Sequence, residues 1–304
     1  MKKKILIISG GISKERSISL DTGLQVAKEL RKNSYLVKIS EPNNNLEKII
    51  KTFDPNVIFN ALHGQFGEDG YIQTILERFK KPYTHSGVIP SSIAMDKEIS
   101  KKLFIKYKIN TPKFFTYSFD KKNSQLVKVI NNKLKFPVVV KPLNEGSSVN
   151  VFICNRKNIF KILNSLKNYK KVMVEEFIGG REIQVAILGK KKLGAIELKP
   201  KRKFYDYQAK YNTNAKTQHI IKIDLPKKKL NEVLKIAHKA HKIIRCKGVT
   251  RSDFKYFNGK FYLLEINTQP GMTKLSLVPE IAAHHRMSFI ELIEWILDDA
   301  STKR

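Results

Sequence analysis

Short apolar runs alternate with amphipathic stretches of helical spacing over roughly the first ninety residues. Continuous apolar runs predict buried parallel strands, and apolar positions that recur every three or four residues predict helices. The predicted strands are residues 5–8, 35–39 and 57–62, and the predicted helices are 20–30, 46–53 and 71–79. This βαβαβ order predicts an α/β fold with a doubly wound parallel sheet, whose ligands lie at the carboxyl ends of the strands.

The pattern changes after residue 90, where strands follow one another with fewer helices between them. The predicted strands are 114–117, 138–141, 149–153, 172–177, 182–188 and 193–199, and the predicted helices are 97–106, 159–166 and 230–244. A last helix opens at Ser288 with a capping box that involves Glu291. No internal repeat or low-complexity linker is visible, so we expect the segments to pack as one compact unit.

Composition adds an unusual charge to this ordinary globular pattern. The 304 residues contain 58 Lys and Arg against 27 Asp and Glu, a net charge of +31. Such a charge favours a polyanionic partner, and a basic nucleic-acid-binding protein is one hypothesis for this chain. However, 48 of these residues are lysines spread along the chain, whereas base recognition favours arginine. The charge therefore indicates a chain-wide composition bias more than a site.

The two cysteines, Cys154 and Cys246, lie far apart and have no metal-binding spacing around them. We interpret them as buried reduced thiols. The apolar run near the N-terminus is too short for a signal peptide, and no stretch reaches the roughly 20 apolar residues of a membrane span. We therefore expect a cytoplasmic protein.

Candidate chemistry concentrates in the strand pair near the C-terminus. An apolar run ends with Glu265 and Asn267, which lie two residues apart and hence on one face of a strand. Such oxygen ligands suit Mg²⁺ held together with nucleotide phosphates. Arg251 and Asp253 lie on the preceding strand. The alternative interpretation is a half-polar exposed hairpin without a site.

The turn between these strands decides whether all four side chains share a face. A two-residue Asn258-Gly259 loop would send Asp253 to the face opposite Glu265. A three-residue loop that includes Phe257 would place all four together. We predict the three-residue loop, and a two-residue loop without a compensating bulge would exclude Asp253 as a metal ligand.

Three segments could bind phosphate. Lys141 ends a predicted buried strand and is followed by the Glu-Gly-Ser-Ser segment 145–148, which differs from a Walker A motif. Lys97 opens a predicted helix. Residues 200–217 mix basic and aromatic side chains, which fits either a nucleic-acid platform or an active-site lid.

Taken in order along the chain, these motifs resemble the D-alanine–D-alanine ligase family of the ATP-grasp superfamily. The resemblance covers essentially the whole chain. The segments that carry it are Gly10-Gly11-Ile12-Ser13, His63-Gly64, Gly67-Glu68-Asp69-Gly70, Asp96-Lys97, Lys141-Pro142, Glu145-Gly146-Ser147-Ser148, Glu175-Glu176-Phe177-Ile178, Gly180-Arg181-Glu182, Phe204-Tyr205-Asp206-Tyr207, Lys210-Tyr211, Arg251-Ser252-Asp253, Glu265 through Thr273, and Ser276-Leu277-Val278-Pro279.

The resemblance implies an ATP-dependent ligase for peptidoglycan precursor synthesis. Two D-alanines would be joined through an acyl phosphate, with ATP and two Mg²⁺ ions, or Mn²⁺ in their place, and the enzyme would be a homodimer. It also implies a parallel-sheet substrate domain at 1–95 and two ATP-grasp α+β subdomains at 96–178 and 179–304, with a lid loop at 200–217.

The resemblance also implies site residues. ATP would be bound by Lys97, Lys141, Glu175, Glu176, Phe177, Ile178, Glu182 and Lys210, and the metal ions by Asp253, Glu265 and Asn267. The substrates would be bound by Glu15, His63, Gly271, Ser276 and Leu277. The implied catalytic residues are Glu15, Ser147, Tyr211 and Arg251.

Two positions depart from the family pattern, and the second substrate stays open. Asn150 stands where glycine is usual, and Gln269 stands where a small or apolar residue is common; we expect neither to contact a catalytic group. A related ligase that uses D-lactate or another D-amino acid is the nearest alternative, although Tyr211 favours an amine nucleophile.

Overall fold

The structure is a computed structural model, and it describes residues 2–120, 125–146, 149–199, 217–273 and 275–304. A three-stranded parallel sheet comes first, in the order β2-β1-β3. Its elements are β1 (Lys4–Ile8), α1 (Arg16–Lys32), β2 (Leu36–Ser40), α2 (Leu46–Phe53), β3 (Val57–Asn60) and α3 (Tyr71–Arg78). Alternate residues of β1 enter two different apolar clusters, one on each face of the sheet. Both faces are therefore covered, as predicted for a doubly wound sheet.

A four-stranded antiparallel sheet follows, in the order β4-β7-β5-β6. Its elements are β4 (Phe114–Ser118), α6 (Leu126–Lys133), β5 (Val138–Pro142), β6 (Phe152–Cys154), α7 (Ile159–Ser165) and β7 (Lys171–Glu176). The two helices cover one face and form a separate apolar cluster with the sheet. Strand alternation leaves Lys141 and Glu175 on the other face.

The third sheet is five-stranded and antiparallel, in the order β10-β9-β8-β11-β12. Its strands are β8 (Arg181–Leu188), β9 (Lys191–Lys199), β10 (Gln218–Ile220), β11 (Val249–Phe257) and β12 (Lys260–Asn267). The remaining helices are α4 (Val88–Met95), α5 (Lys97–Lys106), α8 (Lys227–Ile244), α9 (Leu277–His284) and α10 (Phe289–Asp298). Apolar residues of α5 and α8 cover one face of this sheet.

The other face of the five-stranded sheet is divided along its length. In β8, Glu182 and Gln184 occupy the first half of this face, and Ala186 and Leu188 occupy the second half. The apolar half packs into the same cluster as Ile5, Ile7 and residues of α1 from the parallel sheet. This shared core fixes the carboxyl ends of the parallel strands next to the polar half, where the candidate site lies.

Strongly patterned elements agree with the sequence prediction. Helices α2 and α5 have the predicted bounds, and Ser288 and Glu291 form both bonds of the capping box. Helices α4, α6 and α9 and the short strand β10 were not predicted, and the predicted strand at 149–153 begins only at Phe152. None of the helices in the described part of the chain is both long and apolar enough to cross a membrane.

Asp96 is expected to stabilise α5, the helix that begins with Lys97. The Asp96 carboxylate accepts hydrogen bonds from the backbone N–H groups of Glu98 and Ile99, each at 2.9 Å. Asp96→Ala should lower the free energy of unfolding by about 1 kcal/mol, while Asp96→Asn, which keeps a capping oxygen, should lose less. Urea unfolding followed by circular dichroism measures both; equal midpoints for the two variants would contradict the capping role.

Candidate active site

Two adjoining cavities lie between the polar faces of the four- and five-stranded sheets and the carboxyl ends of the parallel strands. The first cavity is lined by Glu15, His63, Arg251, Asn267, Gly271, Ser276 and Leu277. The second is lined by Lys141, Glu175, Glu176, Phe177, Ile178, Glu182 and Asp253. Lys97, Glu145 and Glu265 line both cavities. Of the residues singled out from the sequence, Ser147, Lys210 and Tyr211, together with 200–216 of the lid segment, lie outside the described residues.

The turn prediction for the β11–β12 hairpin is wrong, but the predicted arrangement of its side chains is kept. Phe257 pairs with Lys260, so the loop is the two-residue Asn258-Gly259 turn, in which both residues have positive φ. A bulge shifts the register between Asp253 and Phe254 and leaves Leu264 as an extra residue in β12. Asp253 consequently lies directly opposite Glu265, on the same face.

Charged side chains on this face are already paired with one another. Arg251 donates two hydrogen bonds to the Asp253 carboxylate, at 2.8 and 3.0 Å. The Lys97 ammonium lies 3.4 Å from a Glu265 carboxylate oxygen and donates to the Glu145 carbonyl oxygen at 2.6 Å. Arg251 and Asp253 therefore restrict each other's orientation, and Lys97 connects the two sheets.

Lys101 is a buried residue of this region that the sequence analysis missed. Its ammonium lies 3.0 Å from one oxygen of Glu175, while Lys141 donates to the other oxygen at 2.5 Å. Burial lowers the pKa of Lys101 to about 8, although Glu175 opposes the shift. Burial alone would raise the pKa of Glu175, but Lys101 and Lys141 together hold it below its usual value. The sequence feature that could have identified Lys101 is its position four residues after Lys97, which places both lysines on one face of α5.

Glu182 has a cationic partner in the second cavity. Lys255 donates to the Glu182 carboxylate at 2.9 Å, and the two residues pair across β8 and β11. Lys255 also lines the cavity, although it is not among the site residues expected from the sequence. The sequence feature that could have identified Lys255 is its position two residues after Asp253 and four after Arg251, since alternate residues of β11 share one face.

Glu15 lies where the parallel strands meet the loop after β5. A Cβ atom on Gly64 would come within 2.5 Å of a Glu15 carboxylate oxygen, and one on Gly146 within 2.6 Å. Gly64 also has a φ of +70°, which L side chains rarely adopt. These two positions therefore need glycine so that the backbone can approach the carboxylate from both sides.

His63 is held in a fixed orientation next to this carboxylate. One ring nitrogen lies 2.9 Å from the Glu68 carboxylate and the other lies 3.1 Å from the Thr22 hydroxyl. Burial raises the pKa of Glu68, and His63 partly opposes that shift. Fixed positions for Glu15 and His63 create a polar pocket suited to an ammonium group.

A polar cluster connects the loop after β5 to the segment before α1. Glu145 accepts hydrogen bonds from Lys14 and from the Tyr169 hydroxyl, both at 2.7 Å. Asn150 donates to the same hydroxyl oxygen at 2.8 Å and has a φ of +57°. Asparagine thus supplies the left-handed turn usually made by glycine and adds a contact that glycine cannot make.

The oxygen-bearing side chains at the border of the cavities have the chemistry that Mg²⁺ requires. Two carboxylates and a carboxamide come from Asp253, Glu265 and Asn267, which share one face of neighbouring strands. Magnesium typically takes only one or two protein carboxylates and completes its shell with phosphate oxygens and water. The set therefore fits Mg²⁺ bound with a nucleotide. Among the described residues no cluster of three or more His, Cys, Asp or Glu side chains is arranged to hold a metal alone.

Comparisons with known proteins agree with the resemblance seen in the motifs. Residues 103–298 match the family model described as D-ala D-ala ligase C-terminus. Over 304 residues the chain is 70% identical to the D-alanine–D-alanine ligase of Pelagibacter ubique (strain HTCC1062), with 100% of each chain covered. The chain belongs to the D-alanine–D-alanine ligase family. The predicted resemblance is thus confirmed.

Solved structures of D-alanine–D-alanine ligase from Bacillus anthracis have the same fold. One matches with a TM-score of 0.87 and 33% identity, and covers 98% of this chain and 97% of its own. A second, a complex with ATP, matches with a TM-score of 0.85 and 32% identity over the same shares. The predicted fold class, a parallel α/β sheet followed by α+β parts, is confirmed.

Gln269, one of the two departures from the family pattern, connects two segments at the candidate site. Its backbone N–H donates at 2.7 Å to the side-chain oxygen of Asn267, a residue predicted to bind metal and not among the predicted catalytic residues. Its side chain accepts from Asn60 at 2.7 Å and donates to the Leu62 carbonyl oxygen. Gln269 therefore joins the end of β12 to the segment that carries His63.

Loss of this buried bridge should destabilise the fold. Gln269→Leu removes both side-chain bonds and leaves the Leu62 carbonyl and part of the Asn60 carboxamide without these partners. We expect the free energy of unfolding to fall by about 1–3 kcal/mol. The matched control is Gln65→Leu, at an exposed position in the loop after β3 that also contains Leu62, and it should change the free energy of unfolding by less than about 0.5 kcal/mol. Urea unfolding compares them, and equal stability of the two variants would contradict the bridge.

Proposed function

We propose that this chain joins two D-alanine molecules into D-alanyl-D-alanine and converts one ATP to ADP and phosphate. The supporting observation is the pair of adjoining cavities with a common wall of Lys97, Glu145 and Glu265. Phosphoryl transfer from a nucleotide to a carboxylate needs both reactants at one junction, and their alignment there removes much of the entropic barrier.

The proposed reaction has two steps. A carboxylate oxygen of the first D-alanine attacks the γ-phosphorus of ATP, the bond to the β-phosphate oxygen breaks, and ADP leaves. The amine of the second D-alanine then attacks the acyl carbon and loses a proton, and phosphate departs with the bonding electrons. The sum is two D-alanines and ATP giving D-alanyl-D-alanine, ADP and phosphate.

The second cavity is the proposed ATP site. Lys97 and Lys141 supply ammonium groups for the phosphates, and the family resemblance adds Lys210. Glu175 and the segment that includes Glu176, Phe177 and Ile178 receive adenine, and Glu182 receives the ribose hydroxyls. The support is that each described residue of this set lines the second cavity.

Asp253, Glu265 and Asn267 are the proposed metal-binding residues. Two Mg²⁺ ions bound there would neutralise charge on the transferring phosphoryl group. Glu265 lines both cavities, so its position supports a role at the junction. Lys97 lies beside the same carboxylate and keeps it oriented.

The first cavity is the proposed amino-acid site. Glu15, aided by His63, holds the ammonium of the first D-alanine, and Arg251 with the Gly271 N–H stabilises the oxyanion of the tetrahedral intermediate. Ser276 and the Leu277 N–H receive the second carboxylate. They lie at the start of α9, where backbone N–H groups favour an anion. The resemblance adds Ser147 and Tyr211, which would complete a hydrogen-bonded set with Glu15.

Further proposals concern organisation and cellular role. We assign the product to peptidoglycan precursor synthesis in the cytoplasm and the assembly to a homodimer, both from the family. The two cysteines carry free thiols, which agrees with a reducing compartment. We keep the domain division 1–95, 96–178 and 179–304 as a proposal, and the separate core of the four-stranded sheet supports its central subdomain.

Phosphate release tests the proposed function. With ATP and Mg²⁺, D-alanine should stimulate release, and chromatography should show D-alanyl-D-alanine. L-alanine and a mixture of D-alanine with D-lactate provide the comparison. If D-alanine gives no stimulation, the proposal is wrong. A depsipeptide formed in preference to the dipeptide would instead support the D-lactate alternative.

Glu265→Ala should remove turnover through loss of metal binding. We expect the rate of phosphate release with D-alanine to fall on the order of 100-fold or more, because the developing charge loses its metal neutralisation. Glu47→Ala, an exposed acidic position on α2, is the control and should keep the wild-type rate. A Glu265→Ala protein with wild-type activity would refute the metal assignment.

A further inference from the structure

Lys101 is a fully buried cation close to the proposed ATP site. Its relative exposure is 0%, and its ammonium contacts the Thr111 hydroxyl at 2.6 Å and Glu175 at 3.0 Å. The ammonium also lies 5.8 Å from the centre of the Phe114 ring, and Phe114 pairs with Glu175 across β4 and β7. Lys101 is thus held from three sides, and it does not line either cavity.

The charges around Glu175 explain why a second lysine is needed there. Lys141 lines the ATP cavity and donates to Glu175. With Glu175 as its sole partner, Lys141 would form a neutral pair, and its attraction for phosphate would be largely cancelled. Lys101 supplies a second positive charge to the same carboxylate, so the three side chains carry a net charge of +1. Burial increases the effect because charges interact more strongly away from water.

We propose that Lys101 is a positioning residue that balances the charge of Glu175 and so leaves Lys141 available for a nucleotide phosphate. The proposal rests on the proposed function, because it requires ATP in the second cavity. Lys101 acts through Glu175 and touches no substrate.

The fold supports this role through the position of α5. Phe104 of α5 belongs to the core of the five-stranded sheet, whereas Glu175 belongs to the four-stranded sheet. Lys97 and Lys101 lie one helical turn apart, and both contact residues of the four-stranded sheet or its adjoining loop. Lys97 donates to the Glu145 carbonyl oxygen, and Lys101 pairs with the Glu175 carboxylate. The pKa of Lys101, lowered by burial to about 8, still leaves its ammonium mostly protonated at neutral pH.

Direct nucleotide binding tests the inference in full-length protein. Isothermal titration calorimetry with ATP and Mg²⁺ compares wild type, Lys101→Met and the control Lys102→Met. Lys102 is its exposed neighbour on α5, paired with Glu98. Lys101→Met should raise the Kd for ATP roughly tenfold, the effect of one nearby charge at intermediate dielectric. Lys102→Met should leave it within about twofold, and the KM for D-alanine should stay near wild type in both.

A double variant separates charge balance from packing. In Lys101→Met with Glu175→Gln, the unbalanced carboxylate is gone, so ATP should bind about fivefold more tightly than to Lys101→Met alone. The single variant Glu175→Gln completes the double-mutant cycle and accounts for the direct contact proposed between Glu175 and adenine. A packing role would give no such recovery. If Lys101→Met fails to fold, a folded double variant still supports charge balance, and a double variant that also fails to fold overturns it.

The outcomes distinguish this inference from the proposed function. A wild-type chain that binds no ATP would refute the proposed function. A wild-type chain that binds ATP, together with a folded Lys101→Met variant of equal affinity, would refute only the role of Lys101. A double variant that does not recover ATP affinity would likewise refute only the role of Lys101.

Discussion

The direct cross-strand pairing of Asp253 with Glu265 is the constraint on which the candidate site depends. It places two carboxylates on the polar half of the five-stranded sheet, and Arg251 and Asn267 pair two residues farther along on the same face. A register shifted by one residue would turn the polar side chains of one of the two strands toward the apolar cluster beneath α5 and α8. The extra residue Leu264 prevents this, so a single bulge decides where the charge of the site is placed.

Charge in the site is organised in pairs and triads rather than as a simple basic surface. Lys97 with Glu265, Lys141 and Lys101 with Glu175, and Lys255 with Glu182 each join a cation to a carboxylate within the cavities or beside them. The net charge of +31 therefore gives a poor description of the site, because the described residues that line its two cavities include more acidic than basic side chains. Position along the strands, more than total charge, identifies these residues.

Local sequence signals were sufficient for much of the fold and insufficient for details of tertiary origin. Helix α5 has the bounds predicted from the sequence, and the motifs led to Lys97, Lys141 and Glu265 at the cavities. The Leu264 bulge could not be predicted, because Asn258-Gly259 fits either turn length and the bulge depends on packing against β11. Lys101 could not be distinguished from the other lysines among the 48 in the sequence, because its burial depends on a tertiary contact with Glu175 of the four-stranded sheet.

The distribution of apolar cores determines which sheets can move relative to one another at the lowest free-energy cost. The parallel and five-stranded sheets share one core, so their separation would expose a large apolar surface. The four-stranded sheet has its own core and meets the segment before α1 through the Lys14, Glu145 and Tyr169 cluster, whose groups can exchange their partners for water. Displacement of the four-stranded sheet from the parallel sheet is therefore less costly than separation of the parallel and five-stranded sheets, and it would change the width of the first cavity, which Glu15 and Glu145 line from opposite sides of this boundary.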